Sequence, residues 1–119
     1  MKEITALVLE DDICVQEYMG KVVSYRIPKT KVTASPSEAL ESIAQLYFID
    51  HNLGADRTGD DVARDLRAMY GDTIYIASTS ADLPYDVDKS TYNIIIPKGN
   101  YERTVFMALA DFEEWYKGR

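Results

Sequence analysis

A single cysteine, Cys14, leaves no partner for an internal disulfide, and with His51 as the one histidine no Cys/His zinc site can be assembled. Disulfide scaffolds and zinc fingers are excluded. The apolar runs, at 6–9, 46–49 and 94–97, fall far short of the roughly 18 residues that suggest a membrane span. The N-terminus, Met-Lys-Glu-Ile-Thr, lacks the apolar stretch of a signal peptide, so a cytoplasmic location is the expectation. Positive charge is also scarce. Thirteen Lys and Arg against 20 Asp and Glu give a net charge of −7, which works against direct binding of nucleic acid or an anionic membrane. No repeat, low-complexity tract or Gly/Ser linker divides the chain. Its 119 residues, 46% hydrophobic and 28% charged, read as one ordinary globular domain over 1–119. Met1 is read as a natural start.

What is present is alternation. Short β-rich runs at 4–9, 31–34, 46–49, 73–77 and 93–96 are separated by segments whose apolar residues recur at helical spacing. Ile13, Met19, Val22, Val23 and Ile27 mark the first such segment. Ser35-Pro36-Ser37-Glu38 opens the second with a capping box. Val62, Leu66 and Met69 mark the third, which stops at Gly71, and Val105, Phe106, Leu109, Phe112, Trp115 and Tyr116 stripe the last. Strands apolar on both faces imply a parallel, doubly wound α/β sheet covered by helices on both sides. Residues 80–92, with Leu83-Pro84, have poor helical periodicity, so the helix that topology requires there is expected to be short or irregular.

In such sheets ligands bind at the carboxyl ends of the strands. Glu10-Asp11-Asp12 follows the first strand, Asp50 the third, Ser78-Thr79-Ser80 the fourth and Lys98 the fifth. If the first and third strands are neighbours, their ends lie about 5 Å apart, which would bring Glu10 and Asp11 toward Asp50. Clustered carboxylates stay protonated unless a cation neutralises them, and Mg²⁺ with oxygen ligands suits that task. A hydroxyl (Ser78) and an ammonium (Lys98) at the same rim could hold the other oxygens of a phosphoryl group accepted by an aspartate.

Taken together these motifs resemble the receiver domain of two-component response regulators over 3–117. The carrying segments are Leu7-Val8-Leu9-Glu10-Asp11-Asp12, Tyr47-Phe48-Ile49-Asp50-His51-Asn52-Leu53-Gly54, Gly59-Asp60-Asp61-Val62, Ile74-Tyr75-Ile76-Ala77-Ser78 and Ile95-Ile96-Pro97-Lys98. The resemblance implies a flavodoxin-like five-stranded sheet of order 2-1-3-4-5. It implies a phosphoacceptor at Asp50 and a Mg²⁺ site of Glu10, Asp11, Asp50 and the Asn52 backbone carbonyl. Ser78 would hydrogen-bond the phosphoryl group and Lys98 would neutralise it. A histidine kinase or histidine phosphotransfer protein would be the donor, a protein effector of unknown identity the target, and the chain would catalyse only its own phosphorylation and dephosphorylation.

Simpler roles exist for single residues. Asp12 suits a helix N-cap, Asp50 and Lys98 could sit in plain turns, a lone loop histidine such as His51 is usually solvated, and the stripe of Phe106, Phe112 and Trp115 suits packing. An apolar stripe reaching Trp115 and Tyr116 is longer than sheet packing requires and allows weak self-association. Three positions depart from the family pattern. Gly99 follows the lysine where Pro is common. Ile95 stands where many receivers carry an aromatic ring, and Thr79 replaces a small Ala and would restrict access of water. Two rivals follow: a phosphorylation-independent docking module of the same fold, and a Mg²⁺-dependent aspartyl-phosphate phosphatase. The latter usually needs a second carboxylate where this chain has Asn52.

Overall fold

The computed structural model describes residues 4–53, 57–79, 89–96 and 101–119. Its elements run β1 (Thr5–Leu9), α1 (Ile13–Arg26), β2 (Lys29–Thr33), α2 (Pro36–Glu41), β3 (Leu46–Ile49), α3 (Gly59–Tyr70), β4 (Tyr75–Ser78), β5 (Ile94–Ile95) and α4 (Tyr101–Lys117). The five strands form one parallel sheet in the order β2-β1-β3-β4-β5. Every residue of β3 and β4 is buried, as central parallel strands require.

Period-two alternation divides the core between the two faces. Ala6, Val8, Leu46, Phe48, Tyr75 and Ala77 pack with Met19 and Val23 of α1 and with Val105, Leu109 and Phe112 of α4. Leu7, Leu9, Tyr47, Ile49 and Ile76 pack with Ala39 of α2 and Val62, Ala63 and Leu66 of α3. Burying a side chain of this size stabilises the fold by about 1.5–3 kcal/mol, so these two layers supply most of the driving force.

Helix starts follow their caps. Asp12 accepts from Cys14 N and Val15 N, at 2.9 and 3.2 Å, and Ser35 accepts from Glu38 N with Pro36 in the first turn. Thr58 and Asp61 exchange side-chain-to-backbone bonds of 3.1 Å in a capping box. Gly71 ends α3 at φ +61°, the left-handed region that glycine enters without steric cost. Helix α2 stops after six residues because the buried hydroxyl of Tyr47 donates to Ser42 O and accepts from Ala44 N, anchoring the turn that follows.

Several expected boundaries and exposures shift. A 3₁₀ turn at Gly71–Thr73 delays the fourth strand to Tyr75, and the second begins earlier, at Lys29. Residues 80–88 of the expected irregular helix lie outside the described residues; its end is a 3₁₀ turn, Lys89–Thr91. Phe106 is exposed rather than packed, as are Ile13 and Met69. Trp115 and Tyr116 are half-buried, against Phe112 with ring centroids 5.8 and 5.7 Å away. Tyr75 adds an edge contact to Trp115 and donates its hydroxyl to Asp111, joining β4 to α4.

Arg67 ties α3 to the β4–β5 side of the sheet. All five guanidinium N–H groups are used: Nε and Nη2 donate to Thr91 O, Nη1 to Gly71 O and Ile74 O, and Nη2 also to Asn93 Oδ1, at 2.7–3.1 Å. Asn93 in turn exchanges bonds with the Ile76 backbone. Lysine keeps the charge but has three donors and no fork. Arg67→Lys should therefore lower the free energy of unfolding by about 2–3 kcal/mol, read as a lower urea midpoint at unchanged slope.

Candidate functional site

Parallel pairing continues one residue beyond the strands. Glu10 N donates to Thr33 O, Asp50 N to Leu9 O and Thr79 N to Ile49 O, each at 3.0 Å. These three bonds align the ends of β1, β3 and β4 at one edge of the sheet. There Glu10, Asp11 and Asp50 each offer an oxygen within 4.8 Å of the others. Glu10 and Asp50 are buried, at 5% and 6% exposure, while Asp11 faces solvent. Asp12 caps α1, and Asn52 lies exposed two residues after Asp50.

Glu10 Oε2 accepts from the backbone N–H of Asp11 and Asp12, at 3.1 and 3.2 Å. Those bonds favour its charged form, but burial outweighs them, and the neighbouring Asp50 and Asp11 carboxyls add to the same effect. The Glu10 carboxyl is pushed up to about 8. Burial beside Asp50 thus favours the neutral form of Glu10. A hard divalent cation meets the same demand with the donors it prefers, so the residues fit a Mg²⁺ ion bound by Glu10, Asp11 and Asp50.

Gly59, at the first turn of α3, seats this cluster. A Cβ there would lie 1.9 Å from Asp50 O and 2.9 Å from His51 Cα, and its N–H donates to His51 O at 2.9 Å. The motif at 59–62 was legible as a helix start, but the need for glycine arises from the backbone of β3 and is invisible along the chain. His51 is not solvated as expected: it is 8% exposed, and its Nδ1 is buried without a hydrogen-bond partner among the described residues. The rest of its environment follows from α3 closing over the strand end.

The register also bears on the hydroxyl. Ser78 pairs with Ile49 on one side and Ile95 on the other. It is fully buried, and alternation assigns it to the α2/α3 side with Ile76. Thr79, one residue on, is buried and level with Asp50. The register thus sets Thr79 level with Asp50 and Ser78 level with Ile49. Lys98, Gly99 and Ser80 lie outside the described residues.

Two outcomes are expected. Gly59→Ala should cost at least about 1–3 kcal/mol of stability, the penalty of forcing atoms into filled space, measured by urea denaturation. The Glu10 carboxyl is raised in the folded state, to about 8 from 4.5, so the native chain binds the extra proton between those values. Stability of the metal-free protein should then fall as pH rises from about 4.5 to 8. Glu10→Gln should flatten that slope in a melting-temperature series. A slope unchanged by the substitution would contradict the assignment.

No family model matches the sequence, and no curated protein matches it. Solved structures do. A CheY-like receiver domain from Methanospirillum hungatei superposes with a TM-score of 0.83 at 11% identity, covering 98% of each chain. One from Methylobacillus flagellatus gives 0.77 at 20%, covering 92% of this chain and 98% of the other. The response regulator protein TrrA from Thermotoga maritima, solved in complex with Mg²⁺-BeF, gives 0.75 at 17%, covering 92% and 98%. Identities this low establish architecture: the chain has the fold of CheY-like receiver domains.

Proposed function

We propose that this chain is the phosphoacceptor receiver of a two-component phosphorelay, taking a phosphoryl group from a phosphohistidine onto Asp50. The observation that carries the reading is the cluster of Glu10, Asp11 and Asp50 within 4.8 Å at the strand ends of a receiver fold. A carboxylate among carboxylates repels an incoming phosphoryl group. Mg²⁺, when bound by Glu10, Asp11, Asp50 and the Asn52 backbone carbonyl, supplies the charge that offsets this. In the transfer an Asp50 oxygen bonds to phosphorus as the phosphorus–nitrogen bond of the donor breaks. The imidazole nitrogen keeps the electron pair and takes a proton. Later attack by water returns the carboxylate and releases inorganic phosphate. The chain thus acts on itself and turns over no separate substrate.

Ser78 takes the role of the hydroxyl that holds a phosphoryl oxygen, and Thr79, level with Asp50, is a second hydroxyl at the same strand end. Lys98 takes the neutralising role the resemblance gives it. The donor is a histidine kinase or histidine phosphotransfer protein, and the output goes to a protein effector. One observation favours the alternative of a phosphorylation-independent docking module: Ile95, paired with Ser78 on β5, has no ring to rotate.

Intact mass after incubation with acetyl phosphate tests the reading. One phosphoryl adduct is expected with Mg²⁺ present, and none without Mg²⁺ or in Asp50→Asn. No adduct under any condition favours the docking module. Ser78→Ala should weaken binding of Mg²⁺ with beryllofluoride, a mimic of the acyl phosphate, about tenfold, the worth of one hydrogen bond to a charged group. Thr79→Ala should leave it within about twofold if Ser78 is the ligand.

A further inference from the structure

Asp60, Arg64 and Arg67 line one face of α3 at spacings of four and three residues. Asp60 is a buried carboxylate, 8% exposed, in the helix's first turn, beside the Gly59 seated on Asp50 O. Its Oδ1 accepts from the buried Tyr92 hydroxyl at 3.4 Å, and its Oδ2 lies 3.3 Å from Arg64 Nε. Tyr92 stands one residue before Asn93, which precedes β5. Its neighbours Thr91 and Asn93 are held by Arg67 from the far end of the same helix, about 10 Å away along the axis.

The two ends of α3 are therefore anchored differently. The last turns are bound through five short bonds of Arg67 to backbone and Asn93. The first turn packs directly on the backbone of Asp50, where a side chain at Gly59 would meet the Asp50 carbonyl. Of the contacts joining α3 to the 91–93 segment, the Tyr92–Asp60 bond is the longest and lies nearest Asp50. Asp60 also has an outlet, since Arg64 is largely exposed and can follow it toward solvent.

We propose that the Tyr92–Asp60 hydrogen bond is a latch that holds the unphosphorylated form and opens when Asp50 carries a phosphoryl group. The inference rests on the receiver reading and adds to it a route from the acceptor to the start of β5 that needs no aromatic side chain at Ile95. Because the latch stabilises only the unmodified form, removing it lowers the cost of reaching the modified one.

The test is calorimetric titration of the full chain with Mg²⁺ and beryllofluoride, alongside the acetyl phosphate adduct measurement. Tyr92→Phe removes one hydroxyl and should bind the mimic about fivefold tighter than wild type, the lower end of coupling between linked sites. A side chain that served stability alone would leave binding equal or weaker, and that result overturns the latch. Should Tyr92→Phe fail to fold, Asp60→Ala should give the same tightening. Where both fold, the double variant should show no further gain, since both remove one interaction. Wild type that binds the mimic, with no tightening in either variant, overturns the latch alone. Wild type that neither binds it nor forms the adduct overturns the receiver reading and the latch with it.

Discussion

Two carboxyl groups, Glu10 and Asp50, are held side by side and out of water at the ends of adjacent parallel strands. Most of what is particular to this molecule answers that arrangement. Like charges so placed are unfavourable, and the chain meets the cost locally: the N–H groups of Asp11 and Asp12 point at Glu10, and burial favours its neutral form. The crevice thus suits a cation or a proton.

The sheet makes the arrangement rigid. Apolar layers on both faces leave β1 and β3 no freedom of register, and a slip of one residue would turn Asp50 into the opposite layer. Helix α3 then closes over the strand end. Its capping box fixes where it begins, Gly59 lets its backbone meet that of Asp50, and Arg67 secures its far end to the β4–β5 side. The helix is a strut between the Asp50 backbone and the β4–β5 side of the sheet. No helix among the described residues is long and apolar enough to cross a membrane, and the two helical layers serve the sheet.

Much of this was legible in the chain. The parallel α/β order, the caps at Asp12 and Ser35, the stop at Gly71 and the placement of acids after the first and third strands all follow from local rules. Other features needed residues far apart in sequence. Neither the burial of His51 nor the early end of α2 on Tyr47 had a local mark, and Phe106 reads as core until the rotation of α4 exposes it. Ser78 and Thr79 are both hydroxyls at a strand end, and which of them stands level with Asp50 depends on strand register.

The sequence by itself determined the alternation of strands and helices, because apolar periodicity and capping chemistry act over a few residues. It also determined which side chains could meet at the carboxyl edge. Only the tertiary structure decided that Thr79 stands level with Asp50, that Gly59 admits no side chain and that burial raises the Glu10 carboxyl. Register, backbone contact and desolvation are properties of neighbours in space, set when the strands pair and α3 closes over them.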